Sequence, residues 1–512
     1  MSHLPILPIL VPLLSAAILM LMRGGGLSAH RSVTLASAVA LCSIAFVSLA
    51  AAGDGGIGVY RIGNWPAPFG IVLVLDRLAA IMLALTAGLA LAVALASVSG
   101  ADEQGRHFHA LLQLQIAGLN GAFLTGDLFN LFVFFEILLL ASYALLAGGG
   151  GLERTRAGLS YVVLNLAGSA LFLIALGLVY GTLGTLNMAD LTLVLPGVAA
   201  ADQALVRVAL ALLIAVFLLK AALVPLGFWL PHVYAAPSMA IAALFVIMTK
   251  VGIYALLRVS TIGLDEATFT SDLLQPWLPW LAILTIGLGM VGALAAKRLA
   301  TVVANLVMIS SGTLILAVAA THVDAHAAAL YYLVQTTIAT AGLFVLVELL
   351  ARQRGELADT IEKGPRITRI AMLGTAFLVL AVAASGLPPL SGFLAKLMIL
   401  QSLATTSTAT AAWTALLLAG LLVTLVLARA ASAFLWEPGK ADETDALVSR
   451  QRSPRGLTAA LALTTAGVLV VTAFAAPISA YARLTAEQLA ATPSYVEAVL
   501  GPDPRIVRER RP

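Results

Sequence analysis

Residues 214–250 read IAVFLLKAALVPLGFWLPHVYAAPSMAIAALFVIMTK. The run is apolar almost without pause, yet Lys220, His232 and Lys250 are set into it and Pro225, Pro231 and Pro237 break it. An ionisable side chain near the centre of a bilayer costs roughly 2.5–3.5 kcal/mol on insertion scales, and one kept there marks an ion or proton path. The whole chain has six lysines, and three of them, Lys220, Lys250 and Lys396, lie inside apolar runs. Half the lysines are where lysine is most costly.

Working outward, the 512 residues are 61% hydrophobic and 11% charged, with a mean hydropathy of +1.02, whereas soluble chains are about 25% charged. The chain is integral to a membrane. Apolar runs fall at about 4–22, 32–52, 78–98, 109–125, 129–147, 160–181, 204–224, 238–257, 278–295, 300–320, 327–350, 367–385, 411–435 and 457–480, with a short run at 389–404. In lipid a backbone must satisfy its own hydrogen bonds, and the runs are continuous and not alternating, so they are helices and not barrel strands. The fold class is therefore all-α integral membrane, with about fourteen transmembrane helices. Two of these are interrupted: Lys220 precedes Pro225 in FLLKAALVPLG, and Lys396 follows Pro388 and Pro389 in SGLPPLSGFLAK. Paired broken helices, each with a central charge, point to an inverted repeat of five helices and to a transport site where the two repeats meet.

One polytopic membrane domain spans 1–512, with a translocation core at about 109–435, accessory helices at 1–98 and 457–480, and a short polar tail at 481–512. The polar stretches 351–369 and 436–456 read as solvated loops. The N-terminal run lacks a basic residue before its apolar stretch and reads as an uncleaved first span. Lysine and arginine in the odd-numbered connections number sixteen, against Arg61, Arg77, Arg207 and Arg258 in the even ones. The odd loops are then cytoplasmic and both termini face outward, with Arg505, Arg508, Arg510 and Arg511 of the basic tail against the rule.

Several function classes fall away. Cys42 is the only cysteine, which excludes an internal disulfide, a cysteine-based zinc site and a cysteine-ligated iron–sulfur cluster. No metal ligand set such as H-E-x-x-H and no phosphate loop G-x-x-x-x-G-K-[ST] appears, so we expect no cofactor, no metal and no direct ATP energisation. The net charge of +4 and pI of 9.2 come without a basic patch interleaved with aromatics, which argues against a nucleic-acid partner.

The candidate site is a charged constellation. Glu136 lies deep in DLFNLFVFFEILLLASYALL. Desolvation neutralises a lone buried carboxylate or lysine, whereas a facing pair keeps both charged, so Glu136 is expected to pair with Lys220. A buried lysine can take up and lose a proton reversibly, which makes Lys220, Lys250 and Lys396 proton stations. The bland reading of the pair is ion-pair glue between helices, and of Lys250 and Lys396 a packed stem with the head in a wet interface. His232 reads equally as relay or loop residue. Asp127 suits a helix N-cap, Arg429 a headgroup anchor, and Tyr143, Tyr161, Tyr254, Gln335 and Thr340 the ordering of water.

FHALLQLQIAGLNGAFLTGDLFNLFVFFEILLLASYALL, KAALVPLGFWLPHVYAAPSMAIAALFVIMTKVGIYALLRV and SGLPPLSGFLAKLMIL, taken together, resemble the antiporter-like subunits shared by proton-pumping NADH–quinone oxidoreductase and multisubunit cation/proton antiporters. Within that superfamily, GLNGAFLTGDLFNLFVFFE is most similar to the D subunit of the Mrp (Mnh/Pha) type. The match covers roughly residues 70–435. The resemblance implies a hydrophilic axis of Glu136, Lys220, Lys250 and Lys396, a transporter subunit and not an enzyme, and work only with sister membrane subunits. It also implies a bacterial inner-membrane location, with protons and Na+ or K+ as the ions moved. Two departures are visible: LYYLVQTTIATAGLF has Gln335 and Ala339 where relatives carry histidine or lysine, and ATVVANLVMISSGTL lacks a Ser/His run. The alternative is a proton-pumping membrane-arm subunit of an NADH–quinone oxidoreductase or a hydrogenase-like complex. A non-transporting scaffold that keeps the charges is a third reading.

Overall fold

The computed structural model describes residues 3–22, 24–263, 269–273, 276–436 and 454–502. Arg23, Lys440, Arg450, Arg452 and the four arginines of the basic tail lie outside them. Helices α1 (Leu7–Leu21), α2 (Leu27–Gly53) and α3 (Arg77–Ser97) come first, with a short antiparallel hairpin, β1 (Gly58–Arg61) and β2 (Val72–Leu75), between the last two. The first five-helix group is α4 (Phe108–Leu124), α5 (Leu128–Ala147), α6 (Leu152–Leu183), the broken pair α8 (Ala200–Lys220) and α9 (Leu230–Ala235), and α10 (Met239–Gly263). The short α7 (Met188–Val194) lies between α6 and α8.

The second group is α11 (Leu278–Ala295), α12 (Leu299–Val318), α13 (Val323–Ala351), the broken pair α14 (Ile370–Ser385) and α15 (Ser391–Leu403), and α16 (Ala409–Ala431). The fourth member of each group is the broken one. Beyond follow α17 (Arg455–Ala473), α18 (Ala475–Ala490) and α19 (Thr492–Leu500). Helix thus continues into the stretch read as a polar tail, where Tyr495, Val496 and Val499 are buried.

Twelve described helices are long and apolar enough to cross a membrane, fewer than the fourteen expected. Runs 109–125 and 367–385 are helical, but α4 has 17 residues and α14 has 16. The hairpin was not expected, since its two strands are only four residues each.

Two opposite faces can be traced through hydrogen bonds. On one, Arg31 meets Asp102 at 2.6 Å, Arg154 donates to Ala236 O at 3.1 Å, and Arg298 bonds Glu153 at 2.7 Å and Asp359 at 2.9 Å. On the other, Arg77 donates to Leu484 O at 3.1 Å, Gln488 to Gly55 O at 3.1 Å and Arg61 to Val499 O at 3.4 Å. The rings of His3 and Tyr60 lie 5.6 Å apart, so both ends of the described chain meet at the hairpin. Helix α4 starts from the first face and α11 from the second, so the two groups run in opposite senses.

Apolar side chains such as Phe46, Leu166, Ile174, Leu284 and Leu417 are exposed on the outer helices, as a lipid-facing surface requires. The innermost helix is α10, whose most apolar window is 100% buried, followed by α12 at 94%. Both prolonged burial and broken backbone therefore converge on the centre, where the lysines lie.

Candidate functional site

Lys220 is the last residue of α8, and the broken backbone after it satisfies its own carbonyls. Ala221 N donates to Phe217 O at 2.8 Å, Leu223 N to Leu218 O at 2.9 Å and Ala222 N to Leu219 O at 3.1 Å. Val224 N donates to Thr285 Oγ1 at 3.1 Å. On α10, a Cβ at Gly252 would lie 2.6 Å from Ala221 N, so only glycine lets α10 reach the break, and this brings Lys250 to the level of Lys220.

The expected direct pair of Glu136 with Lys220 is not formed. Lys220, 5% exposed, donates from Nζ to Asn165 Oδ1 at 3.1 Å, and Glu136 Oε1 accepts from Ser169 Oγ. Asn165 and Ser169 are one turn apart on α6, on the same side of the helix, and each holds one of the two charges. Neutral polar side chains thus replace the ion pair. Asn165 is itself held by Nδ2 donating to Tyr161 O at 2.9 Å, and the Tyr161 hydroxyl lies 3.1 Å from Ser142 Oγ. The Lys220 ammonium lies 5.8 Å from the Phe135 ring centroid. Glu136 is half-buried, on the side of α5 that carries exposed Phe129 and Leu140.

Lys250, fully buried on α10, donates to Ser310 Oγ of α12 at 2.8 Å and lies 3.4 Å from Thr249 Oγ1. The Ser/His run is missing from α12, yet its serine pair still supplies the lysine's acceptor. Ser311 Oγ beside it is buried without a hydrogen-bond partner among the described residues.

Lys396 lies on α15, just past the second break. Its Nζ donates to Ser385 O at 2.7 Å, with Ala384 O at 3.5 Å, and Gln335 Nε2 on α13 donates to Ala383 O at 3.0 Å. These are terminal carbonyls of α14, which have no partner in their own helix. A Cβ at Gly392 would lie 1.9 Å from Ala383 O, so α15 packs directly on that helix end. Gly392→Val is expected to destabilise the fold by about 1–3 kcal/mol through overpacking, read as a lower thermal midpoint of the purified protein.

The remaining candidates separate. Asp127 caps α5, accepting from Asn130 N at 2.9 Å. Arg429 donates to Ala296 O at 2.9 Å and Leu294 O at 3.3 Å, so it caps α11 and does not stand free as an anchor. His232 lines an open cavity of about 620 Å³ with Glu153, Arg156, Ser160 and Thr301, on the face of the basic loops. Thr340 bonds back to Thr336 O at 2.6 Å within its own helix. Tyr254 donates to Phe123 O at 2.7 Å. Among the described residues, no group of three or more His, Cys, Asp or Glu could hold a metal ion.

Asn165, Ser169 and Ser310 escaped the sequence reading. The spacing of Tyr161, Asn165 and Ser169 at every fourth residue was the available signal for the first two. Arg258, counted as a loop cation, is instead 3% exposed within α10 and holds Asp76 through two bonds of 2.6 and 2.9 Å.

Residues 125–424, more than half of the chain, match the family described as NADH:quinone oxidoreductase/Mrp antiporter, TM. The chain belongs to this family. The D subunit of a probable K(+)/H(+) antiporter of Rhizobium meliloti is 46% identical over 427 residues, covering 79% of this chain and 79% of that one. The D subunit of an Na(+)/H(+) antiporter of Bacillus subtilis is 38% identical over 405 residues, covering 78% and 80%. The structure of the Mrp complex from Dietzia sp. DQ12-45-1b contains a chain that superposes with a TM-score of 0.84 at 27% identity, covering 98% of this chain and 100% of that one. The resemblance to antiporter D subunits seen in the sequence motifs is thereby shown for this member of the NADH:quinone oxidoreductase/Mrp antiporter family.

Proposed function

We propose that this chain is the proton-translocating subunit of a multisubunit monovalent cation/proton antiporter in the cell membrane, with Glu136, Lys220, Lys250 and Lys396 as its proton stations. One observation carries the reading. Lys220, Lys250 and Lys396 are each buried in one bundle and bonded to uncharged oxygens, with no carboxylate within 4.0 Å of any of them among the described residues. An ammonium held by neutral acceptors can give up its proton without stranding a buried counter-charge, whereas a lysine in a tight ion pair cannot.

A proton reaching Lys220 or Lys250 alters the attraction that acts across Asn165 and Ser169 towards Glu136, and the charge is passed on towards Lys396. The sister subunits, the lipid bilayer and a proton gradient complete the device. The basic loop face is then cytoplasmic and the hairpin with both termini outward. The family spans quinone oxidoreductases as well as antiporters, and the identities to antiporter D subunits favour the antiporter.

The test is cation-driven proton movement in everted vesicles carrying the whole complex, with assembly followed on a native gel. Lys220→Ala is expected to abolish proton movement in an assembled complex. Unchanged transport in that variant would place the proton path in another subunit.

A further inference from the structure

Helices α14 and α16 do not close on one another along their length. Between them lies an open groove of about 590 Å³, floored by buried Phe377, Leu427, Ala431 and Leu435 and rimmed by Leu378, 60% exposed, and Trp436, 68% exposed. Helix α14 lines it from Ile370, at the basic loop face, to Ser385, where the helix breaks. That length is about 22 Å at 1.5 Å per residue, and half a bilayer with its headgroup region measures about 21 Å. The groove thus runs from one headgroup layer to the membrane centre. Spread over that length, its volume gives a mean cross-section of about 27 Å², which suits a single hydrocarbon chain and is too narrow for a helix about 10–12 Å across.

The mouth of the groove is positively charged. The connection IEKGPRITR, 361–369, carries Lys363, Arg366 and Arg369 against Glu362, and Arg369 directly precedes the first lining residue, Ile370. Arg298 and Arg352 on the same face hold Asp359 and Glu348 at 2.9 and 2.8 Å. Arg366 and Arg369, by contrast, are exposed and make no hydrogen bond or ion pair among the described residues. Basic residues beside a membrane helix attract anionic lipid headgroups, and a guanidinium can grip a phosphate through two parallel N–H bonds. Trp436 at the rim suits the headgroup level, where tryptophan is enriched.

We propose that the groove between α14 and α16 binds one anionic phospholipid of the leaflet on the basic side, with an acyl chain along Leu378, Ala381 and Leu427 and the phosphate at Arg366 and Arg369. The site goes beyond the antiporter reading and does not depend on which ions move. Its inner end meets the second break, because Ser385 and Leu387 line it and Ser385 O accepts from Lys396 Nζ at 2.7 Å. A bound chain therefore covers the membrane side of that break. The groove also has room to be filled: a Cβ at Gly374 would meet only Leu435 Cδ1, at 3.7 Å, an ordinary contact. A larger side chain there enters the groove without moving backbone.

The experiment is photo-crosslinking of the purified, assembled complex in vesicles, with phosphatidylglycerol or phosphatidylcholine carrying a diazirine on one acyl chain. Adducts are mapped by mass spectrometry onto residues 370–387 and 424–436 as the mole fraction of probe is raised. In the wild type, phosphatidylglycerol is expected to label both stretches at a mole fraction about 30-fold below that needed for phosphatidylcholine. The double variant Arg366→Gln/Arg369→Gln is expected to erase that preference and leave phosphatidylcholine labelling unchanged. Gly374→Leu is expected to remove the adducts of both probes, with assembly on a native gel preserved. The arginine variant, on an exposed connection, decides the matter if Gly374→Leu does not assemble.

Equal labelling by the two probes in the wild type, or a preference that persists in the arginine variant, would overturn the headgroup contact and with it the proposal. Adducts that survive in Gly374→Leu would place the lipid outside the groove. Absence of adducts from both probes on the wild-type complex would mean that a sister subunit covers the groove, and the lipid site would fall.

Discussion

Arg258→Ala is expected to lower the stability of the protein by about 3–5 kcal/mol, because it strands a buried carboxylate. Asp76 is 2% exposed and Arg258 3%, and the guanidinium grips both carboxylate oxygens, at 2.6 and 2.9 Å. The same carboxylate caps α3 by accepting from Ala79 N at 2.9 Å. The guanidinium carbon lies 5.4 Å from the Tyr254 ring centroid and 5.6 Å from that of Tyr495. One pair thus ties together the start of α3, the end of α10 and α19.

Removing the cation leaves Asp76 with a buried charge and only the cap to satisfy it. The thermal midpoint of the detergent-purified protein is expected to fall by roughly 5 °C or more. The double variant Asp76→Leu/Arg258→Leu is expected to recover part of the loss, since the two changes share one interaction. A midpoint within error of wild type for Arg258→Ala would show that the pair contributes nothing net.

Arg258 also shows where sequence reading runs out. It sits in GIYALLRV, close enough to the end of its run to be counted as a loop cation, and nothing local reveals a partner 182 residues away. The long apolar runs were legible because a lipid-crossing backbone has one way to satisfy its hydrogen bonds, and the two breaks because proline removes a donor in mid-span. Helices α18 and α19 were not, since short helices of mixed polarity look like a tail until their packing against the hairpin is seen.

At the site, the lysines themselves stood out against their apolar surroundings, whereas their acceptors did not. Asn165, Ser169, Ser310 and the Ser385 carbonyl are of kinds that every bundle contains. Pairing Glu136 with Lys220 from charge alone overlooked that an amide and a hydroxyl one turn apart on α6 can hold each group separately. Gln335 was noted as a departure from relatives. Its position at the α14 end could be read only once α13 was placed beside the break.

Lys250→Met is expected to stop transport and, at the same time, to leave the protein as stable as before or more so. Lys250 is fully excluded from solvent, and its ammonium has Ser310 Oγ at 2.8 Å as its closest partner. Taking such a group out of water is costly, and methionine fills a similar volume without that cost. Stability therefore gains from the change, apart from a modest penalty for a Ser310 hydroxyl that must find another partner.

Function is expected to move the other way, because methionine cannot carry a proton. Cation-driven proton movement in everted vesicles should fall by about 10²-fold or more, the scale on which a lost proton-transfer group is felt. Opposite signs in the two measurements are what separate a proton station from a structural lysine. A structural Lys250 would lose midpoint and transport together when replaced, and a transport-neutral, more stable Lys250→Met would remove it from the path.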